Sequence, residues 1–242
     1  MEWFESWFNT PYYHALYASR STNEASHFIQ KLIPFLALKK NAKMLDVACG
    51  KGRHAYNIHQ MGYDVCAFDL SVESIAEAKK LEEPGLQFFV HDMRHLFYTN
   101  YFDCAFNLFT SFGYFNNERG NINTLNAIHA ALKPKGKLVI DFLNAVKVER
   151  GLSLSPEYKE VDGITYLLQK KIIDKKIIKE IRFSDKGRDF FYTEQVQLLT
   201  LFDFERLLQQ CGFNILSTFG SYNLEPFTLE SDRLIIFAEK AQ

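Results

Sequence analysis

The sequence has no excess of either charge: 28 Lys and Arg against 29 Asp and Glu leave a formal net charge of −1. The basic footprint that tracks a phosphate backbone is therefore missing, and no nucleic-acid partner is indicated. The four cysteines, Cys49, Cys66, Cys104 and Cys211, lie far apart without metal-ligand spacing. No metal site is expected from them. Three fall on or beside apolar runs and read as free buried thiols in a reducing compartment. No apolar run reaches membrane length, and no charged segment followed by an apolar run opens the chain. A cytoplasmic protein without a membrane partner is the expectation. Internal repeats and low-complexity linkers are also absent.

What is present is a chain of 242 residues, 47% of them hydrophobic, enough for one α/β domain with an elaboration. Aromatic residues make up 15%, a supply that serves core packing and, in part, an aromatic-lined pocket. The organising stretch is Met44 to Ala55. Lys43 to Val47 reads as a buried strand, Ala48 to Gly52 as a tight turn of small residues, and Arg53 to Met61 as a helix. Strand, glycine turn and helix together bring backbone N–H groups and a positive helix end to one spot. Gly50 and Gly52 allow a ligand to approach the backbone closely. The third glycine of the dinucleotide fingerprint G-x-G-x-x-G is missing.

Further along, Tyr63 to Asp69 reads as a second strand that ends in an acid 23 residues after Asp46. A carboxylate there accepts hydrogen bonds from both hydroxyls of a ribose. Ser71 reads as the N-cap of a helix through Lys80. A third strand, Leu86 to Val90, runs into His91-Asp92-Met93, where the acid and the Met93 backbone can meet an adenine edge, although taken alone Asp92 reads better as a loop acid capping the next short helix. A fourth strand, Phe102 to Leu108, opens into Phe109-Thr110-Ser111-Phe112-Gly113-Tyr114-Phe115. A helix marked by Ile122, Leu125, Ile128 and Leu132, a turn at Lys133 to Gly136 and a fifth strand, Lys137 to Phe142, follow. The alternation then breaks. Hairpin signals at Asp162-Gly163, Asp174-Lys175-Lys176 and Asp185-Lys186-Gly187 divide an inserted antiparallel sheet between about Tyr158 and Leu199. Its nine basic and seven acidic residues between Glu157 and Asp189 make a mixed, solvated surface. Thr200 to Cys211 reads as a helix stopped by Gly212, and two strands, Phe213 to Phe219 and Arg233 to Glu239, close the chain.

At the start, residues 1–24 carry Trp3, Phe4, Trp7, Phe8, Tyr12, Tyr13 and Tyr17. Docking by apolar rings and a lid over a ligand both fit. Tyr17 and Arg20 lie one helical turn apart, placed to face the same way as cofactor contacts. Ala25 to Leu38 is a helical stripe with Pro34 inside it.

Asp46-Val47-Ala48-Cys49-Gly50-Lys51-Gly52, then Asp69, then His91-Asp92-Met93, the strand Asp103 to Leu108, and Leu132 to Leu138 fall in one order. That order resembles class I S-adenosylmethionine (SAM)-dependent methyltransferases along about residues 40–145, and the closing helix and strand pair match that family's plan. The resemblance implies a Rossmann-like seven-stranded α/β sheet with the last strand antiparallel, carrying the inserted antiparallel β-sheet. The SAM-binding domain would comprise 1–145 and 200–242, with 1–38 as an N-terminal helical lid, and 146–199 would form the cap. It further implies that Asp46, Ala48, Gly50 and Gly52 cradle the methionine part of SAM. Asp69 would hold the ribose, Leu70 pack against the adenine and Asp92 and Met93 edge it. Asn107 would lie near the methionine amino group and sulfonium. Many members carry glycine where Ala48 stands, and alanine fits if its φ stays negative. No Asn-Pro-Pro-Tyr-like tetrapeptide follows the fourth strand, which points away from nucleic-acid and protein-glutamine acceptors and toward a small-molecule acceptor methylated on N or O.

For the acceptor, His54, Tyr114 and Arg182 are the candidates for catalytic contact, with His91 and Tyr192 behind them. Two other readings stay open: a non-catalytic SAM-binding protein, and a nicotinamide-linked oxidoreductase sharing the glycine turn and Asp69. The sequence leaves the oligomeric state open, a homodimer being one option.

Overall fold

The computed structural model describes residues 2–18 and 22–241, with side chains described for all of these except 22–24. Among them, α1 (Trp3–Trp7), α2 (Pro11–Leu16) and α3 (Thr22–Leu36) precede β1 (Lys43–Val47) and α4 (Arg53–His59). Next come β2 (Asp64–Asp69), α5 (Val72–Ala78), β3 (Leu86–Val90), β4 (Phe102–Asn107), α6 (Glu118–Ala131) and β5 (Leu132–Leu143). After α7 (Ala145–Arg150) come β6 (Glu157–Val161), β7 (Ile164–Ile173), β8 (Lys176–Asp185) and β9 (Arg188–Gln197). The chain closes with α8 (Leu201–Gln210), β10 (Phe213–Phe219) and β11 (Arg233–Lys240).

The larger sheet has seven strands in the order β10-β11-β5-β4-β1-β2-β3. Strands β1 to β5 pair in parallel, whereas β11 runs antiparallel to both β5 and β10. This is the expected α/β sheet with its last strand reversed. The chain winds outward from β1 to β3, then crosses back to lay β4 on the other side of β1. The crevice at that reversal, at the carboxyl ends of β1 and β4, is where open α/β sheets hold ligands. Both faces are covered. Phe28, Ile29, Met44, Ile58 and Phe88 belong to one apolar layer, and Leu45, Leu125, Ile140, Phe204 and Ile236 to the other.

Local signals account for most boundaries. Ser71 caps α5 by accepting from the Ser74 N–H, and Thr200 caps α8 by accepting from the Asp203 N–H. The turn expected at Lys133 to Gly136 is an irregular entry into β5 instead. Lys135 takes a left-handed φ of 60°, and the β4–β5 register shifts between Phe102 and Cys104.

The smaller sheet has four antiparallel strands in the order β6-β7-β8-β9. Its hairpins turn at the three expected places, and Asp162, Asp174 and Lys186 carry the positive φ that such turns need. One face, with Tyr166, Leu168, Ile181 and Phe183, is buried against Trp7 and Leu16 of the N-terminal helices. Trp7 is fully buried, so its indole N–H needs a partner. Nε1 donates to Glu194 Oε1 at 2.8 Å, while its ring lies 4.6 Å from that of Tyr192. The N-terminal helices are thus docked on the small sheet by their rings, and the same helices reach the crevice of the large one. No helix among the described residues is long and apolar enough to cross a membrane.

Candidate functional site

A cavity of about 480 Å³ lies at the carboxyl ends of β1 to β4. Its floor is the β1–α4 turn. Cys49 N–H donates to the Phe68 carbonyl, tying the turn to β2, and Gly52 N–H donates back to Cys49. Ala48 adopts φ +58°, against the expectation of a negative value. An L-residue there costs about 1–2 kcal/mol, and the flanking hydrogen bonds hold it. Gly50 has φ +56°, and a Cβ added to it would meet nothing within 4 Å. Its open face leaves room for a ligand against the backbone.

Asp69, at the tip of β2, lies on the cavity wall. Its Oδ2 accepts from Gly50 N–H and its Oδ1 from Ser71 N–H, both at 2.8 Å. Each carboxylate oxygen has a second lone pair, so the fork stays able to accept from a diol. Burial raises the Asp69 pKa, and the amides of Ser71, Gly50 and Leu70 oppose that rise. Leu70, Asp92 and Met93 line the same wall, as do Tyr17, Ala48 and Gly50.

Asp92 is less available than its position suggests. Arg94 Nε bonds both of its oxygens at 3.0 Å and Nη2 adds a bond of 2.6 Å, while Nη1 reaches Glu2 Oε1 at 2.8 Å. Burial works to raise the Asp92 pKa, but the Arg94 bonds prevail and hold it below the usual carboxylate range. The ion-pair chain ties the start of α1 to the β3 tip.

Three expected cofactor contacts do not form the wall. Gly52 is closed off, because a Cβ there would lie 2.4 Å from the Phe88 ring. Its job is to let α4 start close against β3. Asp46 and Asn107, 1% and 0% exposed, sit behind the turn. Asn107 Nδ2 donates to Val47 O at 3.2 Å and Ser111 O at 3.3 Å, clamping the β1 and β4 tips. Asp46 Oδ2 and Asn107 Oδ1 have no hydrogen-bond partner among the described residues. Two unmet acceptors under the turn suit a cationic group or the water that serves it. Arg20 lies outside the described residues.

Burial raises the Asp46 pKa to about 7 from 3.8, despite the bond from Ala55 N–H that lowers it. Between those two values the folded protein keeps a proton that the unfolded chain has lost, so this group erodes stability as pH climbs from about 4 to 7. Asp46→Asn is expected to raise Tm at pH 8 by about 2–8 °C, from about 1–2 kcal/mol, and to leave it unchanged near pH 4. Thermal melts of both proteins across that range check it. A variant no more stable at pH 8 than the parent would contradict it.

Of the catalytic candidates, His54 and Tyr114 line the cavity. The His54 pKa is pushed down to about 3, by burial first and then by Arg53. The ring is therefore neutral and fit for hydrogen bonding, and is too weakly basic to serve as a general base near pH 7. The Tyr114 ring packs 5.4 Å from Trp3, and its carbonyl accepts from Trp3 Nε1. His91 lines the wall, with Nε2 3.0 Å from the His95 carbonyl oxygen. Arg182 does not reach the site. It projects from the outer face of the small sheet, paired with Glu180 at 2.8 Å and lying over Phe191. Tyr192 is spent on Trp7.

The sequence reading does not single out Glu5 and His14, which line the cavity, whereas Phe4, Phe8 and Tyr13 from the N-terminal segment and Phe109 and Phe115 after β4 line it as the lid reading and the aromatic loop anticipate. The aromatic clustering was the available signal. Tyr17 is tied to the small sheet: its hydroxyl donates to Glu194 Oε2 at 2.7 Å and accepts from Lys179 Nζ at 2.6 Å. No group of three or more His, Cys, Asp or Glu able to hold a metal occurs among the described residues.

Comparison with known proteins agrees with this geometry. The profile of a family described as a methyltransferase domain matches residues 44–136. A glycine/sarcosine N-methyltransferase of Halorhodospira halochloris is 27% identical over 234 residues, covering 92% of this chain and 82% of that protein. A solved SAM-dependent methyltransferase from Clostridium acetobutylicum superposes with a TM-score of 0.80 at 21% identity, covering 96% of both chains. CalS10, an amino pentose methyltransferase from Micromonospora echinaspora solved with SAM bound, superposes with a TM-score of 0.72 at 20% identity, covering 96% of this chain and 98% of its own.

Proposed function

We propose that the chain is a class I SAM-dependent methyltransferase, and that it methylates a nitrogen or oxygen of a small-molecule acceptor, an amine by preference. SAM is its cofactor, and when bound it supplies an electrophilic methyl group with a neutral thioether as leaving group. The residues present fit it. Asp69 offers a fork for the ribose, Met93 and Leu70 flank the adenine side, and Gly50 gives backbone access to the methionine part. The unpartnered Asp46 and Asn107 oxygens favour its cationic end.

The reading is carried by the aromatic lining of the cavity, where Phe8, Tyr13, Tyr17, Tyr114 and Phe115 join the strand tips in its wall. Displacement at a methyl group asks mainly for alignment and exclusion of water, and a ring-walled chamber serves both. Aromatic faces also favour a group that becomes cationic as it is methylated. An amine entering neutral loses its proton after transfer, so no strong base has to stand in the wall. The relative named as a glycine/sarcosine N-methyltransferase points to nitrogen as well. The N-terminal helices would act as the lid, held by Glu2–Arg94 on one side and Trp7–Glu194 on the other.

Calorimetric titration with S-adenosylhomocysteine tests the cofactor half: saturable binding is expected, and no heat at millimolar ligand would overturn it. A screen of amines, alcohols and carboxylates with methyl-labelled SAM tests the acceptor half. Label found only on oxygen would remove the amine preference.

A further inference from the structure

The corner just after β4 is strained. Phe109 and Thr110, neither of them glycine, take left-handed φ values of +63° and +62° in succession. Such runs persist only where the surroundings over-determine them. Here the surroundings converge on Asp141 of β5, which is 1% exposed. Its Oδ2 accepts from Phe109 N–H at 2.8 Å and from the Tyr222 hydroxyl at 3.0 Å, and its Oδ1 accepts from Arg233 Nε at 2.8 Å. Its carbonyl accepts from Thr110 N–H at 2.9 Å. Arg233 Nη2 closes the circuit on Thr110 Oγ1 at 2.9 Å.

The residue so held faces the cavity. The Phe109 ring lies 4.4 Å from the Arg53 guanidinium on one side and 5.9 Å from that of Arg233 on another, with the His54 ring 6.4 Å away. Phe109 and His54 both line the cavity, on the β4 side, away from the nucleoside fork of Asp69. Neither Asp141 nor Arg233 is part of its wall.

We propose that Asp141 and Arg233 are positioning residues that lock Phe109 as a fixed wall of the acceptor half of the site. This deepens the reading of the cavity given above and rests on it for the identity of that half. An unstrained corner would let the ring turn away and leave the acceptor's approach to the methyl group undefined.

The test is 19F NMR on the whole protein carrying 4-fluorophenylalanine at position 109. The parent is expected to give one narrow resonance that moves when S-adenosylhomocysteine is added. Asp141→Asn and Arg233→Gln are expected to broaden or split it. Adding Thr110→Gly to Asp141→Asn relieves backbone strain and is expected to recover thermal stability while the resonance stays broad. Leu86→Ala, a core change at the far end of β3, controls for lost stability and is expected to leave the line narrow. Tyr222→Phe removes a single bond to Asp141 and serves if the stronger variants do not fold; partial broadening is expected. A single narrow line in every folded Asp141, Arg233 and Tyr222 variant would overturn the proposal. If the parent line is narrow but S-adenosylhomocysteine gives neither heat nor shift, the cofactor assignment fails and the locking result still stands.

Discussion

Replacing Asp69 with alanine is expected to weaken S-adenosylhomocysteine binding by a factor on the order of 10², or about 3 kcal/mol, while the protein stays folded. Hydrogen bonds to a charged acceptor contribute about 1.5–3 kcal/mol each, and two hydroxyls of one ribose share this carboxylate. They do not simply add, because Asp69 also receives Gly50 N–H and Ser71 N–H. Its removal slackens the β1–α4 turn and the start of α5 together. Asp69→Asn separates the two effects. The amide keeps one acceptor but turns a donor toward one of those N–H groups, and an intermediate loss of about tenfold is expected. Calorimetry on the three proteins decides. Unchanged affinity in the alanine variant would move the nucleoside elsewhere in the cavity.

The second large effect concerns the two glycines of the same turn, which lie two residues apart and do different work. Gly52→Ala is expected to lower stability by about 3–4 kcal/mol, or roughly 6–16 °C in Tm for a chain of this size. Its φ is +79°, and the added Cβ would sit 2.4 Å from Phe88 Cε1 and 3.3 Å from Ala78 Cβ. The Phe88 ring is 1% exposed and has nowhere to retreat. Gly50→Ala is expected to cost only about 1 kcal/mol, from its left-handed φ alone, because its Cβ meets nothing. That Cβ projects where a ligand would approach, so affinity for S-adenosylhomocysteine should fall tenfold or more in a protein that melts nearly as the parent does. Melting curves and titrations on the pair check both statements. Equal melting temperatures would show that α4 does not depend on close approach to β3.

The contrast also marks how far the sequence could be read. The strand, turn and helix around Gly50 are encoded within a dozen residues, as is the acid that ends β2. The hairpins at Asp162, Asp174 and Lys186 are equally local. Periodicity and turn chemistry act over such distances, so these elements were legible. Depth was not. Asp46, Gly52 and Asn107 belong to the same motifs as Ala48, Gly50 and Asp69, but a strand tip has a front and a back, and residue order does not distinguish them. Arg182 shows the same gap in a sheet. Alternation separates it from Ile181 and Phe183, but the helices that cover one face begin at Trp3, well over a hundred residues earlier. The Asp141–Arg233 pair spans 92 residues and is formed only when β11 comes home beside β5.

The small sheet leaves the large one after β5 and rejoins it before α8. Both crossings meet at Gly113, where an added Cβ would touch the Phe142 ring at 3.4 Å and Gln197 Cβ at 3.5 Å. Gln197 also takes the Gly113 and Phe115 carbonyls and the Asn121 amide. A segment whose two ends are already pinned side by side can be lengthened or swapped for about 0.6 kcal/mol of closure entropy per doubling of its length. The fold thus carries the small sheet as a segment whose length the large sheet does not dictate. None of residues 144–199 lines the cavity, so changes there would reach the site only through the N-terminal helices packed on the small sheet, and would leave the turn at Gly50 as it is.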